Sequence, residues 1–125
     1  MMKNNSREEF TKRLIKFSLV IIKFCNELRK DRNLVAVADQ LIRSGTSIGA
    51  NYTEAKSSSS KRDYLKYFEI ALKSANESIY WLVLAKEAQP ELWERADKIL
   101  TETEEIAKVI GASILTMKGK RNIKS

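Results

Sequence analysis

Residues 42–54 (Ile42-Arg43-Ser44-Gly45-Thr46-Ser47-Ile48-Gly49-Ala50-Asn51-Tyr52-Thr53-Glu54) constrain this chain most. A helical apolar period runs through them, although they include two Gly and five Ser, Thr or Asn. Small polar residues weaken a helix intrinsically. Close packing against another helix or another subunit must offset that weakness. The segment points to assembly and not to a reaction.

Four helices are expected around it. The first spans about 7–30, with Ser6-Arg7-Glu8-Glu9 fitting a capping box. Phe10, Leu14, Phe17, Ile21, Phe24, Cys25 and Leu28 form its stripe. Asn33 is expected to cap a second helix over about 34–55, whose face holds Leu34, Val37, Ala38, Leu41, Ile42, Gly45, Ile48, Gly49 and Tyr52. Residues 56–62 form a polar loop rich in Ser. A third helix spans about 61–88, with Tyr64, Tyr67, Phe68, Ala71, Leu72, Ala75, Ile79 and Leu82 as its core stripe. Pro90 suits the first turn of a fourth helix over about 90–117, with a frayed basic tail over 118–125. No strand pattern competes. The expected fold is all-α, an antiparallel up-down-up-down four-helix bundle filling residues 1–125 as one domain.

The chain contains no His and a single Cys25. Imidazole catalysis and His metal ligation are therefore excluded, as is an internal disulfide. The lone Cys fits a reducing cytoplasm. An enzyme would have only carboxylates, Lys, Tyr or Ser to work with. Glu54, Glu69 and Glu77 could gather a metal, but di-iron bundles need Glu-x-x-His pairs. The expectation is no enzyme, no cofactor and no metal. No apolar run approaches the roughly 20 residues of a spanning helix, and the N-terminus lacks a secretory signal pattern.

Net charge is +7 and uneven. Residues 1–62 carry thirteen Lys and Arg against six Asp and Glu, whereas residues 63–125 carry ten of each. Lys12, Lys16, Lys23 and Lys30 share one side of the first helix, and Lys56, Lys61, Arg62 and Lys66 cluster around the Ser loop. This asymmetry suggests a polyanion partner, charge-complementary self-assembly, or a solvated basic surface. Apolar residues are also in excess of what one bundle buries. Ile70, Trp81 and Leu84 lie off the core stripe of the third helix, and Ile15, Leu19 and Ile22 off that of the first. Each set is a widened core edge or a subunit interface.

Gln40 to Ala55, and Tyr67-Phe68-Glu69-Ile70-Ala71-Leu72-Lys73-Ser74-Ala75-Asn76-Glu77 followed by Leu82, resemble two signature blocks. These belong to bacterial four-helix bundle proteins first noticed as reading frames inside 23S ribosomal RNA intervening sequences. The resemblance implies the bundle, a ring-like homopentamer, and no established reaction. It also implies kinship with the accessory variability proteins of diversity-generating retroelements, which bind nucleic acid and a reverse transcriptase. By position, Arg43, Ser47, Asn51 and Glu54 match the second-helix motif, and Ser74 and Glu77 the third-helix motif; the resemblance assigns them to packing or assembly. Ala55 departs from the Gly usual after the motif Glu, which leaves the end of the second helix open.

Two functional expectations follow. One is a cytoplasmic homo-oligomer that binds RNA or DNA through Lys12, Lys16, Lys23, Lys56, Lys61, Arg62 and Lys66. The other is a protein-interaction scaffold whose charge is incidental, with a partner such as a reverse transcriptase.

Overall fold

The computed structural model describes residues 4–124, with side chains described over 5–119. Four helices follow in order: α1 Asn4–Leu28, α2 Val35–Ser57, α3 Lys61–Ala88 and α4 Trp93–Lys124. Short 3-10 turns, Arg32–Leu34 and Pro90–Leu92, join α1 to α2 and α3 to α4. The described residues form no strand. The helices alternate in direction as an antiparallel bundle, the short connections forcing neighbours in sequence to be neighbours in space.

Several boundaries differ from the sequence expectation, each for a local reason. α1 begins at Asn4, so Ser6 lies inside it and is not its cap; the Ser6 amide donates to Asn5 Oδ1 at 2.9 Å. Asp31, not Asn33, is the cap between α1 and α2. Its Oδ1 accepts from the Asn33 amide at 2.9 Å and opens the 3-10 turn. α2 passes Ala55, whose carbonyl accepts from the Ser58 amide and hydroxyl, and ends at Ser57. Pro90 opens a 3-10 turn, with α4 proper starting at Trp93.

The fourth helix runs on past Lys118 to Lys124, with Met117 against the core and Lys118 Nζ 3.3 Å from Glu69 Oε2 of α3. Of the expected basic tail, the side chains of Lys120, Arg121 and Lys124 lie outside those described.

The core follows the apolar stripes. Phe10, Leu14, Phe17, Ile21, Phe24, Cys25 and Leu28 of α1 are all buried. Tyr52 sits among rings, edge-on to Phe10 with centroids 5.0 Å apart and tilted to Phe68 at 5.6 Å. Side-chain size sets helix spacing. α2 and α3 meet through Ala and Ser and pack most closely, whereas α1 presents Phe residues and meets α4 far less than it meets α2. The wider α1–α4 side is spanned by polar reach: Arg13 grips Glu102 with two bonds, at 2.8 and 2.7 Å.

Candidate assembly and nucleic-acid surfaces

The 42–54 stretch is clasped from two sides within one chain. On the α1 side, a Cβ added at Gly45 would lie 2.9 Å from Ile21 Cγ2. On the α3 side, Ser44 Oγ lies 2.9 Å from Ser78 Oγ, and Ser47 Oγ 3.0 Å from Ser74 Oγ. Ser44 and Ser78 are fully buried. Hydroxyls there satisfy one another where a larger residue would hold the helices apart. Asn51 Nδ2 donates to both the Ser47 carbonyl and hydroxyl at 2.9 Å.

Toward solvent the same seam becomes ionic. Arg43 donates to Gln40 and to Glu77, and Glu77 Oε2 also accepts from the Trp81 indole N–H at 2.9 Å. The indole bond first, and Arg43 second, hold the Glu77 carboxyl below the usual carboxylate range. Between α2 and α3, Arg43 thus pairs with Glu77, while Ser47, Asn51 and Ser74 form a separate hydrogen-bonded set. Glu54 joins neither. It lines a groove of about 450 Å³ between α1 and α2, with Ile15, Leu19, Gly49 and Ala50 among its walls.

Glu102 is likewise lowered, chiefly by the hydrogen bond from Arg13. A carboxyl with a folded pKa below its unfolded value adds stability above the unfolded value, about 4.3 for Glu. That contribution is lost as pH falls through the lowered folded value. Melting temperature should therefore decline as pH drops below about 4.3, and Glu102→Gln should make the decline shallower. A decline of the same steepness in Glu102→Gln would remove this pair from the acid response.

The topology gathers the basic clusters at one end of the bundle. The start of α1, the α2–α3 loop and the end of α4 all lie there. Lys56 Nζ donates to Thr11 Oγ1 at 2.7 Å, which ties the loop cluster to α1 beside Lys12. Lys56, Lys61, Arg62 and Lys66 flank the loop, all exposed. Lys16 follows Lys12 by about one helical turn. Lys23 is not part of this cluster: eleven residues beyond Lys12, it lies about 16 Å further along the axis at about 1.5 Å per residue. Lys118 reaches the same end through its Glu69 pair.

The expected interface residues separate. Ile70 and Trp81 are half-buried in their own chain, and Leu84 is more open. Larger apolar exposure lies beside them at Tyr80 (58%), and on α1 at Ile15 (56%) and Leu19 (53%). The sequence reading missed Tyr80; its place one helical turn before Leu84 was the available signal.

Glu54, Glu69 and Glu77 go to three different places: the α1–α2 groove, Lys118, and Arg43 with Trp81. Among the described residues no group of three or more His, Cys, Asp or Glu could hold a metal ion. Cys25 is buried, which pushes its thiol up to about 11 and leaves it a poor nucleophile. Among the described residues no helix is long and apolar enough to cross a membrane.

A family model described as 23S rRNA-intervening sequence protein matches residues 7–112. No curated protein matches the chain. A solved structure of a protein of unknown function from the S23 ribosomal protein family of Bacteroides thetaiotaomicron is 33% identical. It superposes with a TM-score of 0.78 over 83% of this chain and 96% of that one. The seam described above falls within the matched residues, and the chain belongs to the 23S rRNA-intervening sequence protein family.

Proposed function

We propose that this protein is a non-enzymatic, homo-oligomeric accessory protein that binds nucleic acid through the basic end of its bundle. The observation that carries the reading is the meeting of Lys12, Lys56, Lys61, Arg62 and Lys66 at that end. Such contacts engage phosphates and shape and do not read bases. In a ring, the pentamer of the resemblance, each end is repeated by symmetry, so weak contacts act together. The setting proposed is cytoplasmic.

The test is binding of a labelled RNA or DNA oligonucleotide followed against salt. The logarithm of affinity should fall linearly with the logarithm of salt, by about 0.7–0.9 per phosphate neutralised. Absence of binding at low salt would leave the second reading, a scaffold for a protein such as a reverse transcriptase. The apolar α1–α2 groove supports that alternative.

Self-association is tested separately. Ile15→Asp with Leu19→Asp should lower the molecular mass in light scattering while helix content stays as in the parent, because both side chains are over half exposed. Unchanged mass would free that face from the interface.

A further inference from the structure

Two apolar surfaces of this chain face solvent on different helices. One is the groove between α1 and α2, about 450 Å³ in volume, with Ile15 and Leu19 exposed along it. A cleft of that size is in the range proteins use for binding. Gly49 and Ala50 keep its α2 wall low. Glu54 stands exposed at its edge and makes no ion pair among the described residues. The other surface is on α3. Tyr80, Val83 and Leu84 are exposed at spacings of three and four and so make one ridge. Trp81 braces it, with its ring edge-on to Tyr80 at 4.9 Å and its indole N–H held by Glu77 at 2.9 Å. A braced ridge loses little side-chain freedom on docking. Lys73, two turns before Tyr80, is exposed and also makes no ion pair among the described residues.

We infer that the α3 ridge of one copy seats in the α1–α2 groove of the next, Tyr80 and Leu84 against Ile15 and Leu19, with Lys73 of one copy facing Glu54 of the other. An apolar helix ridge laid in an apolar groove is a recurrent docking mode, its anchors spaced by three and four residues. Tyr and Trp are the side chains that most often anchor such contacts. A second copy fits because every chain brings both surfaces, with opposite unpaired charges at their edges. The contact is head-to-tail, since groove and ridge are different surfaces, and it closes into a ring where the rotation allows. It rests on the self-association proposed above and supplies the two surfaces for it.

The experiment uses the full chain and light scattering. A groove variant carries Ile15→Asp with Leu19→Asp, and a ridge variant Tyr80→Glu with Leu84→Glu. All four side chains are exposed, so helix content by circular dichroism should stay near the parent's. Each variant alone should have the mass of one chain. Mixed in equal amounts at high concentration, they should reach the mass of two chains and no more, because one intact ridge then meets one intact groove. Lys73→Glu and Glu54→Lys should each raise the dissociation constant about tenfold, and the variant with both should return near the parent. These two side chains are exposed, so the swap reports even if an apolar variant fails to fold.

A ridge variant that keeps the parent's mass, a mixture that stays at one chain, or charge-swap losses that add instead of cancelling would overturn the contact and leave self-association by another face standing. A groove variant that keeps the parent's mass would overturn it too, and would leave the groove to a foreign protein. A parent that stays a single chain at every concentration would overturn both the contact and the self-association it rests on, without touching nucleic-acid binding.

Discussion

Gly45→Val should destabilise the protein by about 3 kcal/mol, whereas Gly49→Ala should leave it unchanged or stabilise it by up to about 1 kcal/mol. Both glycines are in mid-helix, where Gly is worse than Ala by about 1 kcal/mol. They differ in what lies opposite. At Gly45 an added Cβ meets Ile21 Cγ2 at 2.9 Å and Cγ1 at 3.1 Å, and Ile21 is fully buried and cannot swing aside. At Gly49 the nearest atoms are Leu14 Cβ at 3.5 Å and Ser18 Oγ at 3.7 Å, ordinary contact. Valine at 45 adds two further methyl groups and must push α1 off α2. For a chain of this length the loss should lower the melting temperature by about 10 °C. The cause is checked by a double variant: with Ile21→Ala, Gly45→Val should cost much less than it does alone, because the methyls it meets are gone. An unaltered cost beside Ile21→Ala would show that the Gly45–Ile21 contact is not what limits helix spacing.

That contact also marks the limit of what the residues alone disclose. The apolar periods of all four helices were readable because a buried stripe must repeat every three or four residues. So was the demand for close packing around 42–54. The partner was not readable: Ser44 and Ser47 on one helix suit a neighbour in the same chain as well as one in another. Only the register that sets Ser78 against Ser44, and Ser74 against Ser47, assigns those contacts to α3. Helix ends were the weakest reading: Ser6 with Glu9 makes a good capping pattern, yet Ser6 lies inside α1, which begins at Asn4. That α4 runs past Lys118 to Lys124 was signalled by no local pattern. For the candidate site, each charge cluster was visible as a run of Lys and Arg, but their union depended on the topology.

Reversing the basic end, with Lys56, Lys61, Arg62 and Lys66 all changed to Glu, should reduce nucleic-acid affinity on the order of a thousandfold at moderate salt. The salt slope should fall by about three to four, one step for each phosphate no longer neutralised. The fold should survive the change. All four side chains are exposed, and acids in the first turn of α3, where Lys61 and Arg62 stand, favour the positive end of that helix. Lys56→Glu does give up the bond to Thr11, so circular dichroism accompanies the binding measurement. The discriminating control is Lys23→Glu with Lys30→Glu. These stand on α1 and just past its end, away from the basic end, and together they lower the net charge by four, half the change of the fourfold variant. If affinity follows net charge, the control loses in proportion to its share of the charge and the location is immaterial. If affinity follows the basic end, the control retains most of the parent's binding and its salt slope. A fourfold variant that binds as the parent does, while still helical, would place the phosphate contacts elsewhere and withdraw the feature on which the nucleic-acid reading stands.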